Sequence, residues 1–249
     1  MTEKTGMMPK TVIVMPVANE EATMEKVVDM IMQLPYDNLF YYPVIDDYSR
    51  DRTESILREK AADNPRMKVI YHKESKGVIS CYLEGYRQAL NDGADRIIEM
   101  DGGMSHDPAQ LPEFIKKLDE GYDCVWGSRF VKGGGISDLP LYRRLLSSGG
   151  TILANIVLGT RLKDMTSGYE AFQRKVLENM NLDSILSTGH MYQTEIRYYC
   201  RKLNCVEVPI HYAGSSSGLN AGNVFEALKI LFKLKKHEKN IWKDDPKRG

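Results

Sequence analysis

Polar side chains suited to binding a nucleotide follow several apolar runs of this sequence, at the point where each run ends. They are Asn19, Glu20, Asp46, Asp47, Asp101 and Arg129. Carboxylates suit ribose hydroxyls, base amides and a hard divalent cation that bridges phosphates. The planar guanidinium of arginine suits a phosphate, because it donates two charge-assisted hydrogen bonds and keeps its proton. These residue types therefore predict a site for a phosphorylated, hydroxyl-rich ligand.

The elements that must position these side chains are short apolar strands that alternate with helices. Strands are predicted at 11–15, 67–71, 96–100, 124–126 and 206–210, and a further strand is predicted to end at residue 45. Helices are predicted at 20–34, 53–62, 79–90, 108–118, 143–158 and 191–203. This alternation indicates an α/β fold with a mainly parallel sheet and helices on both faces. Ligands of such sheets bind beyond the carboxyl ends of the strands, where the polar side chains occur.

The composition limits the class of protein. Lys plus Arg and Asp plus Glu both total 34, so the net charge is zero and no nucleic-acid partner is expected. The four cysteines lack zinc-site spacing and are predicted to be reduced, mostly buried thiols, with no structural metal. The first residues lack the apolar segment of a signal peptide, and no stretch approaches the roughly 20 apolar residues of a spanning helix. We therefore expect a cytoplasmic protein.

Several of these polar residues also have a purely structural explanation. Asn19 could cap the following helix. Asp107 precedes a proline in a typical helix start and is predicted to be a cap rather than a metal ligand. Asp51 is likewise predicted to start a helix, and a single loop histidine such as His106 does not by itself indicate catalysis. The strand-end aspartates could be solvated loop carboxylates, but their place directly after apolar strands favours a function.

Several motifs occur in the order found in family 2 glycosyltransferases. They read PVANEE, VIDDYSRDRT, EMDGGMSHDP, GSRFVKGGG, YRRLLSSGG, DMTSGYEAF and QTEIRYYCRKLNCVEVPIHY. Over about residues 10–213 the sequence most resembles the polyprenyl-phosphate (dolichyl-phosphate) mannose synthase group. The resemblance implies a GT-A, Rossmann-like nucleotide-diphospho-sugar transferase fold in 1–213. It also implies inverting transfer of a sugar from a nucleoside diphosphate sugar to a membrane polyprenyl phosphate.

The resemblance assigns a role to each matching position. Residues implied to bind the nucleotide are Pro16, Asn19, Glu20, Asp46, Asp47 and Asp101. Residues implied to be catalytic, because they match positions that grip the phosphates of acceptor and donor, are Arg129, Arg143 and Ser147. Residues implied to line the acceptor side are Thr166, Ser167, Gln193 and Glu195. Replacing Arg129 or Arg143 by alanine is expected to reduce turnover while nucleotide binding survives.

The sequence departs from the family pattern at the metal motif. Asp101 resembles the first aspartate of its DxD-type motif, but Gly103 stands where the second is usual. Whether a divalent cation, Mg²⁺ or Mn²⁺, is used is therefore left open, with Asp101 as its candidate ligand. Further departures at 76–80 and 214–218 affect the region around the donor phosphates and sugar. The resemblance therefore fixes neither the sugar nor the base.

Two other functions stay open. One is transfer to a saccharide or small-molecule hydroxyl, which needs a general base such as Glu195 or Asp164. The other is a non-catalytic nucleotide-sugar-binding protein. A hydroxyl acceptor is neutral and must lose a proton, whereas a phosphate acceptor is already anionic and needs no base. Dependence of activity on lipid separates the two kinds of transfer.

Residues 214–249 are predicted to form a loop, an amphipathic basic helix and a disordered tail from 239 onward. Leu228 and Leu231 share one face of this helix, and Lys229, Lys233 and Lys236 lie on another. Such a helix can lie on an anionic membrane, although an ordinary surface helix packed on the domain has the same pattern. With a lipid acceptor, the pattern favours peripheral binding at the inner membrane face. A separate membrane protein is a further candidate partner.

Overall fold

The computed structural model describes residues 8–74, 77–137, 141–187, 189, 191–213 and 221–244, without the side chains of 141–147, 221–228 and 240. Its strands are β1 Thr11–Val17, β2 Leu39–Asp46, β3 Ile70–His72, β4 Arg96–Glu99, β5 Cys124–Ser128, β6 Gly135–Ser137, β7 Glu170–Gln173, β8 Cys205–Pro209 and β9 His211–Ala213. Its α-helices are α1 Met24–Met32, α2 Thr53–Ala62, α3 Val78–Asn91, α4 Leu111–Asp119, α5 Leu141–Leu158, α6 Arg174–Asn179, α7 Tyr192–Cys200 and α8 Ala221–His237.

A seven-stranded sheet in the order β3-β2-β1-β4-β7-β5-β8 forms the centre of the described chain. All of its strands run in one direction except β7, which pairs antiparallel with β4 and with β5. The mainly parallel sheet is therefore confirmed. The sequence interpretation missed β7, because its four residues EAFQ contain neither an apolar run nor clear alternation. Its reversed direction brings the preceding turn 166–168 to the edge where the parallel strands end.

The apolar runs are continuous because the central strands are covered on both faces. In β1, Val12 and Val14 belong to one buried cluster, and Ile13 and Met15 belong to the other. Helices α3, α6, α7 and α8 contribute to the first cluster, and α1, α2 and α4 contribute to the second. Helix α3 lies very close to the sheet, since a Cβ at Gly85 would come within 2.2 Å of the Val14 side chain. The predicted arrangement of helices on both faces is confirmed.

The chain end differs from the prediction of a disordered tail beginning at 239. Ile241 is fully buried, and its carbonyl accepts the Asn181 N–H at 2.6 Å. The Lys243 N–H donates to the Asn179 carbonyl at 2.9 Å. Glu238 receives hydrogen bonds from Arg201 and Lys202. The prediction is wrong for 239–244, because one apolar side chain and these backbone hydrogen bonds attach the segment to the domain, while 245–249 lie outside the described residues.

Two buried glutamates face each other across the sheet beneath the strand ends. Glu99 in β4 pairs in register with Glu170 in β7, and neither side chain is exposed. Arg197 donates to Glu170 at 2.7 Å, and the Tyr86 hydroxyl donates to Glu99. Burial raises the pKa of Glu170 to about 7 and raises the pKa of Glu99 well above its ordinary value. We infer that Glu99 holds a proton in the folded protein at neutral pH.

We expect this proton to make stability depend on pH. Glu99 has a raised pKa in the folded state and a pKa of about 4.5 in the unfolded chain, so its protonated form stabilises the fold at low pH. That stabilisation decreases as pH rises above about 4.5. Glu99→Gln copies the protonated form and does not titrate. Between about pH 5 and pH 8, the free energy of unfolding of the wild type should therefore decrease by about 1–3 kcal/mol more than that of the variant. Urea unfolding at several pH values measures this difference.

Glu54→Gln is the matched control, because Glu54 pairs with Arg58 on the surface of α2. Its pH profile should run parallel to that of the wild type. Parallel profiles for Glu99→Gln and the wild type would contradict the buried proton.

Candidate functional site

The loops that follow β1 and β2 are joined by hydrogen bonds. The Asn19 N–H donates to Ser49 Oγ at 3.1 Å, and its side-chain oxygen accepts the Arg50 N–H at 2.9 Å. The Glu20 N–H donates to Thr53 Oγ1 at 2.7 Å. Asn19 has a φ of 57°, a left-handed conformation that asparagine tolerates. Asn19 therefore joins two loops, and the helix-cap explanation is wrong because α1 begins only at Met24.

Asp51 and Asp107 have the structural roles expected of them. Asp51 accepts the Thr53 N–H at 3.0 Å at the start of α2, and it also accepts the Glu21 N–H at 2.9 Å. Asp107 accepts the Ala109 N–H at 2.9 Å ahead of a proline in the first turn. Both helix-start predictions are confirmed.

The β2 end presents one buried and one open carboxylate. Asp46 is buried, accepts the Tyr48 N–H at 3.0 Å and lies 3.6 Å from the Cys81 sulfur. Burial, together with Asp46, raises the pKa of the Cys81 thiol to about 12, so this thiol is inert. The Asp47 side chain is 46% exposed. Pro16 is buried within β1, so of Pro16, Asp46 and Asp47 only Asp47 presents an open side chain.

The loop after β4 lies directly against Glu20. A Cβ at Gly103 would lie 2.8 Å from Glu20 Oε2 and 2.9 Å from Oε1, and Gly103 has a φ of 71°. A Cβ at Gly102 would lie 3.2 Å from the Pro16 carbonyl oxygen. The Glu20 carboxylate thus occupies the space that a side chain at 103 needs. Burial raises the pKa of Glu20, and the nearby Asp51 charge also raises it.

Asp101 is oriented by two buried aromatic side chains. The Tyr82 hydroxyl donates to Asp101 Oδ1 at 2.7 Å. The Asp101 N–H donates to His106 Nδ1 at 3.0 Å, which leaves the ring proton on Nε2. His106 Nε2 is buried without a hydrogen-bond partner, 3.8 Å from Asp101 Oδ2. Burial lowers the pKa of His106, so a neutral imidazole holds Asp101 in place, a role that its spacing in the sequence did not indicate.

The turn before β7 brings residues that were predicted to line the acceptor side close to Asp101. A Cβ at Gly168 would lie 3.1 Å from Gln193 Nε2 and 3.2 Å from Asp101 Oδ1. Ser167 is buried, and its carbonyl accepts Arg197 Nη2 at 2.8 Å. Gln193 is therefore beside the first aspartate of the motif. Ser167 shapes this wall through its backbone.

Arg129 is paired inside the protein. Its Nε and Nη2 donate to the two Asp164 oxygens at 2.7 and 2.8 Å, and Nη2 also donates to Thr166 Oγ1 at 2.5 Å. The two charged side chains are 7% and 0% exposed. Alanine at 129 would leave Asp164 buried without a counter-charge. We therefore expect this substitution to lower stability as well as turnover, and a phosphate contact by Arg129 stays a prediction.

The two carboxylates considered as general bases are both engaged. Burial acts to raise the pKa of Asp164, but hydrogen bonds from Arg129 and its charge lower it to about 2. Glu195 is fully buried and accepts the Leu186 and Ser187 N–H groups, each at 2.8 Å. Its helix face is therefore not exposed, and the solvated-surface explanation is wrong for Glu195. Neither carboxylate is suited to remove a proton from a hydroxyl acceptor.

Arg143 and Ser147 lie in α5, but their side chains are outside the described part of the structure, so their roles stay predictions. The cysteine prediction is confirmed: all four thiols are free, and Cys205 alone is partly exposed. Among the described residues, no group of three or more His, Cys, Asp or Glu side chains is arranged to hold a metal. A cation here would therefore need ligands from the substrate as well.

We expect the Arg129–Asp164 pair to be essential for stability. Asp164→Asn keeps the shape of the side chain but leaves a buried guanidinium without its counter-charge, so unfolding should become easier by about 3–5 kcal/mol. Asp183→Asn is the control, because Asp183 pairs with Arg87 while its side chain is 84% exposed, and its effect should stay below about 1 kcal/mol. Urea unfolding at neutral pH measures both. Because the pKa of Asp164 is lowered, its stabilisation should disappear as pH falls toward about 2.

The match to a family model covers residues 12–180 and is described as glycosyl transferase family 2. An undecaprenyl-phosphate mannosyltransferase of Micrococcus luteus is 34% identical over 74% of this chain and 78% of its own length. A polyprenol monophosphomannose synthase of Mycolicibacterium smegmatis is 31% identical over 90% of this chain and 85% of its own length. A dolichol-phosphate mannosyltransferase of Pyrococcus furiosus is 31% identical over 93% of this chain and 65% of its own length.

The fold is similar to that of a solved enzyme of much lower identity. Glucosyl-3-phosphoglycerate synthase from Mycobacterium tuberculosis, in complex with Mn²⁺, UDP and glucosyl-3-phosphoglycerate, superposes with a TM-score of 0.64 at 16% identity. The superposition covers 96% of this chain and 82% of that one. The polar side chains at the carboxyl ends of β1, β2 and β4, which include Asn19, Glu20, Asp47 and Asp101, form a rim along the sheet. The strand order, this rim and the family match all indicate the same class of protein. This chain belongs to glycosyl transferase family 2 and is a glycosyltransferase with a GT-A fold.

Proposed function

We propose that this enzyme transfers a sugar, with inversion, from a nucleoside diphosphate sugar to a polyprenyl phosphate. One observation carries the proposal: the three-residue loop 101–103 connects the two halves of the site. Gly103 lies against Glu20 on the nucleotide side, and Asp101 lies beside Gly168 and Gln193 on the acceptor side. Positions 101 and 103 have Cα atoms at most about 7.6 Å apart, so donor and acceptor would meet across this loop.

The named relatives support a polyprenyl phosphate as the acceptor. The Micrococcus and Pyrococcus proteins are named as mannosyltransferases of undecaprenyl phosphate and dolichol phosphate. The Mycolicibacterium protein is named as a polyprenol monophosphomannose synthase. Mannose is the donor sugar that these names favour for this chain. The identity of the base stays open.

The state of the carboxylates supports the same acceptor. A hydroxyl acceptor needs a general base, but Asp164 has its pKa lowered to about 2, and Glu195 binds two backbone N–H groups. A phosphate acceptor is already anionic and attacks the anomeric carbon without losing a proton. The protein then has to hold two anions together and stabilise the leaving diphosphate. The family resemblance gives this role to Arg129, Arg143 and Ser147. The last two are four residues apart in α5 and thus on one helix face.

A divalent cation is compatible with the chemistry of the rim. The Asp101 carboxylate is held by Tyr82 at one oxygen, and carboxylate oxygen is the ligand type that Mg²⁺ and Mn²⁺ prefer. Mn²⁺ accompanies UDP in the mycobacterial synthase of similar fold. When bound, such a cation supplies positive charge to the leaving diphosphate.

The surface formed by α5 and α8 supports peripheral binding to a membrane, which we place at the cytoplasmic face. Its exposed apolar side chains are Ile152, Ile156 and Phe232, which are 60%, 74% and 63% exposed. Lys233 and Lys236 are exposed on α8, the helix that carries Phe232. In the described part of the chain, no helix is long and apolar enough to cross a bilayer. An apolar surface flanked by lysines suits the interface of an anionic membrane, where the lipid acceptor resides.

We expect Arg143→Ala to lower transfer to polyprenyl phosphate by about 100-fold or more, because it removes a positive charge that the family resemblance assigns to the binding of the phosphates. Arg144→Ala, one residue away on a different helix face, is the control and should retain most of the activity. The assay uses a panel of nucleotide sugars with polyprenyl phosphate, each with Mg²⁺, with Mn²⁺ and with chelator. Calorimetry should show unchanged binding of the nucleoside diphosphate.

Absence of transfer with every donor would argue for a binding protein. Transfer to a soluble hydroxyl acceptor in place of the lipid would contradict the proposed acceptor.

We expect the triple substitution Ile152→Ser, Ile156→Ser and Phe232→Ser to weaken binding to anionic lipid vesicles by at least about tenfold. These exposed side chains would bury apolar area when the protein binds the membrane, and serine removes that area. Tyr71→Ser is the control, because Tyr71 is a partly exposed apolar residue on β3, at the far edge of the sheet. Co-sedimentation with vesicles measures binding. Equal binding of the triple variant and the control would contradict this membrane surface.

A further inference from the structure

One face of α8 lines a cavity that shares no lining residue with the rim of strand ends. The cavity has a volume of about 260 Å³, is open to solvent and is lined by Leu186, Lys233, Lys236 and His237. Lys233 lies three residues before Lys236 and four before His237, so these side chains share one face of the helix. Leu186 comes from the segment between α6 and α7. The fold thus brings two lysines and an apolar side chain to one cavity.

The positive charges of this cavity are not neutralised by neighbouring carboxylates. Glu238, the nearest acidic residue along the chain, already binds Arg201 and Lys202, each at 2.8 Å. In the part of the chain that the structure describes, Lys233 and Lys236 take part in no ion pair. Like charges three residues apart on a helix repel each other, and an anion between them removes that repulsion. The cavity is therefore suited to an anion.

Hydrogen bonding and packing fix the backbone that carries these lysines. His237 Nε2 donates to the Ser184 carbonyl at 2.7 Å, which attaches the end of α8 to the segment that carries Leu186. Leu231 and Leu234 are buried on the inner face of α8. The opposite face is thereby kept toward the cavity and the solvent. An anion bound there has to order only the lysine side chains and not the helix.

Apolar side chains lie close to the two lysines. Leu186, in the wall of the cavity, is 36% exposed. Phe232 is 63% exposed and lies four residues before Lys236, on the same helix face. A soluble anion gains nothing from these apolar surfaces, whereas a phospholipid brings a phosphate together with acyl chains. The combination therefore favours a lipid over a soluble phosphate compound.

We propose that this cavity binds the phosphate of an anionic membrane phospholipid, to which the ammonium groups of Lys233 and Lys236 donate hydrogen bonds. The inference rests on the proposed membrane surface of α5 and α8, and it adds a specific headgroup site to that surface. The lipid bound here is not the acceptor of the sugar, because none of the predicted site residues lines the cavity. It holds the enzyme on membranes that contain anionic lipid.

Vesicle binding tests the two lysines against a variant with the same loss of charge. Lys233→Gln with Lys236→Gln should weaken binding to vesicles of equal parts phosphatidylcholine and phosphatidylglycerol by about tenfold or more. Lys235→Gln with Lys239→Gln is the matched control, because both lysines are exposed and neither lines the cavity. The control should weaken binding by less than about threefold. Co-sedimentation measures binding, and urea unfolding shows whether both variants are folded.

A short-chain lipid tests the cavity without a membrane. Dihexanoyl phosphatidylglycerol, kept below the concentration at which it forms micelles, should shift the methyl NMR signals of Leu186 in the wild type. The same lipid should leave these signals unshifted in the variant that lacks Lys233 and Lys236. Dihexanoyl phosphatidylcholine, whose headgroup has no net charge, and glycerol 3-phosphate, which has no acyl chains, should cause smaller shifts at the same concentration.

Each contrary outcome overturns a stated part of the inference. Equal weakening of vesicle binding by the two pairs of substitutions shows attraction by overall charge and overturns the headgroup site. Equal shifts with glycerol 3-phosphate and with the lipid overturn the lipid as the occupant. Unshifted Leu186 signals with every probe overturn the cavity as a binding site. Neither measurement involves sugar transfer, so a failure of the proposed transfer reaction is distinguished from a failure of this inference.

Discussion

The close contact between the loop after β4 and the loop after β1 is the constraint on which the rest of the site depends. It requires glycine at 103, with a φ of 71° and no room for a Cβ beside Glu20. The loop after β1 is held in turn by the loop after β2, through Asn19 and the Glu20 N–H. Three strand ends thus form one rigid rim. A nucleotide on this rim pays little ordering entropy, since the side chains are already placed.

Buried ion pairs hold the turn before β7, which is predicted to line the acceptor side, against this rim. Arg197 binds Glu170 and the carbonyl of Ser167, and Arg129 binds Asp164 and Thr166. Both pairs attach the segment 164–170 to β5 and α7. Because the pairs are buried, each charge depends on its partner, and loss of one partner would release the turn that carries Gly168. Charged residues here hold the turn before β7 in place in addition to any chemistry.

The sequence predicts the longer parallel strands and the polar residues that follow them, because both depend on local signals, but it misses the short strands β6, β7 and β9. Continuous apolar runs covered on both faces identify β1 and β2, and the residue after such a run must lie at the carboxyl edge of the sheet. It cannot predict which carboxylate meets which guanidinium: Asp164 lies 35 residues from Arg129, and only the antiparallel β7 brings them together. The same holds for Glu20 and Gly103, whose contact depends on strand order. Spacing along the chain carries no signal for such contacts.

The distribution of charge restricts how the enzyme can stabilise its leaving group. Both arginines described in the pocket wall, Arg129 and Arg197, are already neutralised by carboxylates. A departing diphosphate needs positive charge that those residues cannot fully supply. In the described rim, Glu20 and Asp101 add negative charge, which repels a diphosphate. The leaving diphosphate therefore depends on positive charge from beyond these carboxylates, a role that the family resemblance assigns to Arg129, Arg143 and Ser147.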